Sequence, residues 1–226
     1  MSHYCPTYLK QLNLCYYEYN PPEELNSEVT SFNKLYLRTV VKPGHLLFIG
    51  HSWVRDLEKN ILPSDLPITF DFVEYKGYPG ATFETLSSKI DAYPIESCPQ
   101  CIVVLAGSND LSLDISDLKS NALKFYTKLR KRFPNSFIIA SNIENRFYSD
   151  SERHKLSPPI EEYRRKARSF KNWIHKKNLP VNKTLYLNDP KISCINNFKA
   201  DGVHLNRRGL LLLDTLISTL LIKLFP

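Results

Sequence analysis

Three short segments hold side chains suited to acyl transfer: FIGHSW ending at Trp53, LAGSNDL ending at Leu111, and DGVHLN ending at Asn206. The first puts Ser52 where a strand-like run meets a helical one. At such a junction a hydroxyl stands beyond the sheet edge, and its own backbone N–H is among the unpaired donors of the helix N-terminus, aimed at a developing negative charge. Alone, a serine there commonly serves only as a helix N-cap. The last segment spaces Asp201 and His204 three residues apart. An imidazole can take a hydroxyl proton through one nitrogen while a carboxylate holds its other N–H. Alone, Asp201 and Gly202 read as a turn, and His204 as a satisfied surface or core histidine. The middle segment projects Asn109 from a strand end, where its amide is a donor fit for an oxyanion hole; an Asn-Asp pair is also a common turn and cap.

The elements that must position these residues follow from the apolar pattern. Strand-like runs are HLLFI before Gly50, ITFDFVEY before Gly77, CIVVLA before Gly107, SFIIAS before Asn142 and, more weakly, TLYL from Thr184. Helical patterns cover Trp53 to Asn60, Thr82 to Ile90, Ser116 to Arg132, Ile160 to Lys177 and Asn206 to Leu224. Short apolar runs joined by helices predict an α/β fold, a three-layer αβα sandwich around a mainly parallel five-stranded sheet. In such sheets ligands bind beyond the carboxyl ends of the strands, where the unusual residues cluster. Residues 1–43, rich in Tyr and Asn and broken by Pro21 and Pro22, read as an N-terminal extension to a domain over 44–226. Asn142 to Pro159 reads as a long polar loop at the rim of the site.

At 226 residues, with 42% hydrophobic and 23% charged residues, the chain is long enough for a sizeable core and is not disordered. The leucine-rich end, Leu210 to Phe225, is interrupted by Asp214, Ser218, Thr219 and Lys223, so it reads as a buried amphipathic helix and no transmembrane segment is expected. The start lacks a signal-peptide pattern, and five scattered cysteines are not a disulfide framework. An intracellular, cytoplasmic protein with reduced thiols is therefore expected.

Taken together, Ser52, Asn109 and His204 with Asp201 resemble the blocks of the SGNH hydrolases, also called GDSL-type esterases. Gly80 in YPGAT falls on the family's glycine block, with Gly77 as the fallback. The likeness spans Leu46 to about Leu216 and implies a flavodoxin-like fold. It implies a serine esterase acting on a short-acyl carboxylic ester, the substrate being a small-molecule, lipid or carbohydrate ester. By that likeness Ser52 is the nucleophile, His204 the general base and acid, and Asp201 its orienting partner. The N–H groups of Ser52 and Gly80 and the Asn109 side chain form the oxyanion hole, with no cofactor or metal. One departure stands out: the family's first block is usually Gly-Asp-Ser, and here His51 follows Gly50. HSWVRDL and DGVHLNRRG also resemble SGNH-type domains encoded by animal retroelements.

Other signals compete. Cys98 and Cys101 form CPQC, yet a redox pair should start a helix and this one starts a strand, while a zinc site would need two further ligands at matching spacing. The net charge is +7, with basic residues grouped at Arg130 to Arg132, Arg164 to Arg168, Lys176 with Lys177, and Arg207 with Arg208. That distribution permits nucleic-acid contact. It frames the alternative function: a catalytically silent binding module on the same fold, a nucleic-acid-associated accessory domain of a mobile element. The bland alternative is that the charges are the solvated side of a helix whose other face is Tyr163, Ala167, Phe170, Trp173 and Ile174.

Overall fold

The computed structural model describes residues 44–60, 70–94, 98–143, 160–176, 179–185, 192 and 194–225. The expected N-terminal extension over residues 1–43 and residues 144–159 of the expected polar loop lie outside them.

The strands β1 (His45–Gly50), β2 (Phe72–Gly77), β3 (Cys101–Leu105), β4 (Phe137–Ser141) and the three-residue β5 (Lys183–Leu185) pair in the order β2-β1-β3-β4-β5, every pair parallel. Among the described residues five helices flank them: α1 (Ser52–Asn60), α2 (Phe83–Ala92), α3 (Ile115–Arg132), α4 (Ile160–His175) and α5 (Arg207–Leu224). β1 and β3 are buried along their whole length, as expected of central strands covered on both faces. Alternate side chains go to opposite layers. Leu47, Ile49, Ile102 and Val104 pack with α2, α3 and α4, whereas Leu46, Phe48, Val103 and Leu105 pack with α1 and α5. Each such fully buried side chain contributes roughly 1.5–3 kcal/mol relative to exposure.

The strand order reverses at β1. The chain runs outward through α1 to β2, then returns to the other side of β1 as β3, so the connections on the two sides of β1 diverge and leave a crevice beyond the ends of β1 and β3. Helix starts follow local chemistry. Thr82 caps α2 by accepting from Thr85 N–H at 3.2 Å, and Asn206 caps α5 by accepting from Gly209 N–H at 3.0 Å. The β2 ladder begins at Phe72, opposite the first residue of β1; residues 68 and 69 of the expected run lie outside the described ones. The expected fifth run continues past β5 into residues 186 and 187, outside the described ones.

The expectation of reduced thiols fails at Cys98, which is disulfide-bonded. Its CPQC neighbour Cys101 is a free thiol sealed in β3, and burial pushes it up to about 12, so it stays protonated and inert. The motif is therefore not a redox pair. Among the described residues no helix is long and apolar enough to cross a membrane.

Candidate active site

β1 ends at Gly50 and α1 begins at Ser52, leaving His51 alone in the turn. His51 is buried; its N–H donates to Leu105 O at 3.0 Å, its carbonyl accepts from Val54 N–H at 3.1 Å, and its Nδ1 accepts from Trp53 N–H at 3.3 Å. That last contact is the work of an N-cap side chain, here done by an imidazole whose Nδ1 carries no proton. The departure from Gly-Asp-Ser thus keeps an acceptor at the head of α1. Ser52 is the first helical residue, half-buried, and not the cap.

The DGVH segment forms the tip of a hairpin closed by the Phe198–Leu205 bridge, with Lys199 N–H donating to His204 O at 2.7 Å. Gly202 takes a φ of +65° in this turn, which allows the tight reversal. Asp201 Oδ1 accepts from Val203 N–H (2.8 Å) and His204 N–H (2.9 Å), and Asp201 Oδ2 lies 2.8 Å from His204 Nδ1. Partial burial works against the charge of Asp201, but the two backbone donors and the imidazole prevail and hold its carboxyl below its usual range. Both side chains remain about one-third exposed. The indole Nε1–H of Trp53, the residue after Ser52, donates to Val203 O at 3.2 Å. This bond joins the first turn of α1 to the residue before His204. Ser52 and His204 are brought to the same end of the sheet in this way, although they are not hydrogen-bonded to each other.

The segments that carry the other two predicted residues, Gly80 and Asn109, meet across a second contact. Tyr78, Pro79, Gly80 and Ala81 make a tight turn closed by Ala81 N–H to Tyr78 O at 3.0 Å, with Pro second and Gly80 third at φ +77°. Tyr78 N–H donates to Gly50 O at 2.8 Å, which fastens this turn beside the end of β1. Asn109 lies in a single 3-10 turn, Ser108–Ser112, and its Nδ2 donates to Ala81 O at 3.0 Å. One N–H of the amide is used there and the second remains. The two candidate glycines differ sharply. A Cβ on Gly80 would meet nothing within 4 Å, while one on Gly77 would lie 2.2 Å from Arg55 N. Gly77 is needed for β2 to approach α1; Gly80 borders open space.

Sequence reasoning missed Asp110. It is fully buried, and both carboxylate oxygens accept from Phe83 N–H, at 3.1 and 3.2 Å, so it caps a helix far away in the chain rather than its own turn. Burial pushes its carboxyl up to about 7, against the opposing pull of Phe83 N–H and His51 and with a smaller push from Glu84. The protonated form is therefore the one folding favours. Its contribution to stability is complete below the unfolded value near 3.8 and is lost as the pH rises through 7. Asp110→Asn is expected to remove this component. In urea titrations at about pH 4 and pH 8, the wild type should lose more stability between the two than the variant does, and equal losses would refute the assignment.

The basic clusters prove to be partly internal. Arg130 donates to the carbonyls of Pro134, Ser136 and Pro180, Arg132 donates to Tyr93 O, and Lys166 is buried. Arg164, Arg165 and Arg168 stay on the outer face of α4.

No protein-family model matches the chain, and no curated protein matches it in sequence. Solved structures do match. A GDSL-like lipase from Bacteroides thetaiotaomicron superposes with a TM-score of 0.62 at 14% identity, covering 85% of this chain and 97% of that one. The fold is that of the GDSL-like lipases and acylhydrolases. A lipase/acylhydrolase from Enterococcus faecalis (TM-score 0.60, 19% identity) and a carbohydrate esterase family 3 protein from Talaromyces cellulolyticus (0.59, 15%) each cover 80% of this chain and 97% of their own. The parallel sheet between helix layers expected from the sequence is thus borne out. The likeness of the end blocks to mobile-element domains finds no support in these matches.

Proposed function

We propose that the protein is a serine esterase that cleaves a short-acyl carboxylic ester through an acyl-enzyme. One observation carries this reading: a carboxylate–imidazole pair at 2.8 Å, on a hairpin tip tied by the Trp53–Val203 bond to the helix that begins with Ser52.

In this mechanism Ser52 Oγ attacks the ester carbonyl while His204 Nε2 accepts its proton. Asp201 holds Nδ1–H, fixes the tautomer and stabilises the imidazolium. The carbonyl oxygen becomes an oxyanion that takes hydrogen bonds from the N–H groups of Ser52 and Gly80 and from the free N–H of the Asn109 amide. The intermediate collapses, the alcohol departs with the proton from His204, and water repeats the sequence on the acyl-serine to release the acid.

Hydrolysis of p-nitrophenyl acetate by the purified chain tests the reading. Asn109→Ala should lower kcat on the order of 10²-fold, the usual loss for one oxyanion donor, with little change in KM. Because Asn109 also braces Ala81, thermal unfolding of Asn109→Ala separates the two roles: a kcat loss in a variant that unfolds within a few degrees of the wild type is the oxyanion contribution, and full activity would remove Asn109 from the site.

A further inference from the structure

We infer that Lys166 is a positioning residue for the oxyanion asparagine: its buried ammonium clamps the end of the turn that presents Asn109. The inference rests on the esterase reading only for its kinetic consequence.

Lys166 sits in the middle of α4 with its side chain 5% exposed, an uncommon place for an ammonium. An ammonium has three N–H donors, and all three are engaged: Leu111 O at 3.0 Å, Leu113 O at 2.7 Å and Glu162 Oε1 at 3.0 Å. The two carbonyls belong to the last turn and the C-cap of the 3-10 segment Ser108–Ser112. Carbonyls at a helix end are short of partners, and a cation there is favoured by the local dipoles. Lys166 therefore closes the carboxyl end of the very turn that carries Asn109.

The rest of that turn is held from other sides. Gly107 starts it at φ +105°, where an added Cβ would lie 3.0 Å from Ile143, and Asp110 ties its centre to the first residue of α2. The clamp by Lys166 is the one that comes from α4, the helix that follows the segment 144–159 in the chain. A single 3-10 turn has too few internal hydrogen bonds to keep a side chain within the few tenths of an ångström that oxyanion binding demands. A neutral residue at 166 would take this donor from the buried Leu111 carbonyl and the partly buried Leu113 carbonyl and let the turn open.

The test combines kinetics with amide hydrogen exchange on the intact chain. Lys166→Met should lower kcat for p-nitrophenyl acetate about tenfold with KM within about twofold, and Lys166→Arg, which keeps the charge and the donors, should recover most of the loss. Made in the Asn109→Ala background, Lys166→Met should cost less than about twofold, because the group it positions is gone. Backbone amides of residues 108–113 should exchange at least about tenfold faster in Lys166→Met, with the β1 and β3 amides unchanged.

Equal kcat losses in the two backgrounds, or unchanged exchange over 108–113, would overturn the proposal. If Lys166→Met does not fold, Glu162→Ala removes only the half-exposed partner, and it should raise exchange at the same amides by a smaller factor; no rise would count equally against the clamp. If the wild type hydrolyses no ester, the esterase reading fails by itself, and the exchange measurement still decides whether Lys166 holds this turn.

Discussion

Ser52→Ala is expected to abolish hydrolysis, with kcat lower by on the order of 10⁴- to 10⁶-fold, and to erase labelling by a fluorophosphonate probe while the protein stays folded. The size follows from chemistry: without Oγ no acyl-enzyme forms, and only oxyanion binding and proximity remain to help a water attack. The intact fold follows from structure. His51, not Ser52, caps α1, and the bond from Trp53 Nε1 to Val203 O does not depend on the hydroxyl. Thermal unfolding of the two proteins should agree within a few degrees. Labelling by the probe that survives in the variant would show that another nucleophile reacts, and it would remove Ser52 from the mechanism. His204→Ala belongs to the same measurement, since it should slow labelling of Ser52 to near the rate of an ordinary serine.

The second large effect falls on folding. Gly50→Ala places a Cβ 2.0 Å from Leu105 O and 2.8 Å from Leu105 C, both of them backbone atoms in the neighbouring central strand. Nothing flexible can yield, and Leu105 O is also the acceptor for His51 N–H. Relief requires β1 and β3 to separate at the mouth of the crevice. That would break the cross-link between the turn before Ser52 and the strand before Asn109. We expect a loss of about 3 kcal/mol or more, the upper end for overpacking, enough to leave much of a typical domain unfolded. Urea denaturation, or soluble yield where the variant does not accumulate, measures it. Gly80→Ala is the contrast: no atom lies within 4 Å of its Cβ, so its cost is confined to backbone strain at φ +77°, about 1 kcal/mol. Similar losses at both positions would contradict the distinct roles assigned to them.

Much of the scaffold is legible in the residues alone. HLLFI and CIVVL are apolar on both faces, which can be satisfied only between two helix layers, and the structure buries every one of those side chains. Two helical patterns begin at Thr82 and Asn206, the residues that the structure shows capping α2 and α5. The Asp201–His204 contact is equally local, because three residues and one positive-φ glycine suffice to close it. What local pattern could not reveal is which residues serve at a distance. His51 looked like a loss from the nucleophile block and is the acceptor for Trp53 N–H. Asp110 looked like a turn residue and caps α2, and Lys166 looked like one charge in a solvated cluster and lies buried. In each case the partner is an N–H or C=O whose availability depends on where a helix begins or a turn ends.

By itself, then, the sequence determined the alternation of strands and helices and the types of the four candidate side chains, because these depend on periodicity and on contacts between residues close in the chain. The tertiary structure alone decided that Ser52 and His204 share one end of the sheet, that Gly80 and not Gly77 borders open space, and that a buried carboxyl and a buried ammonium hold the Asn109 turn. The physical reason is the strand order: a parallel sheet whose path reverses at β1 brings together loops separated by up to 150 residues, and no local preference encodes which carbonyl then meets which donor.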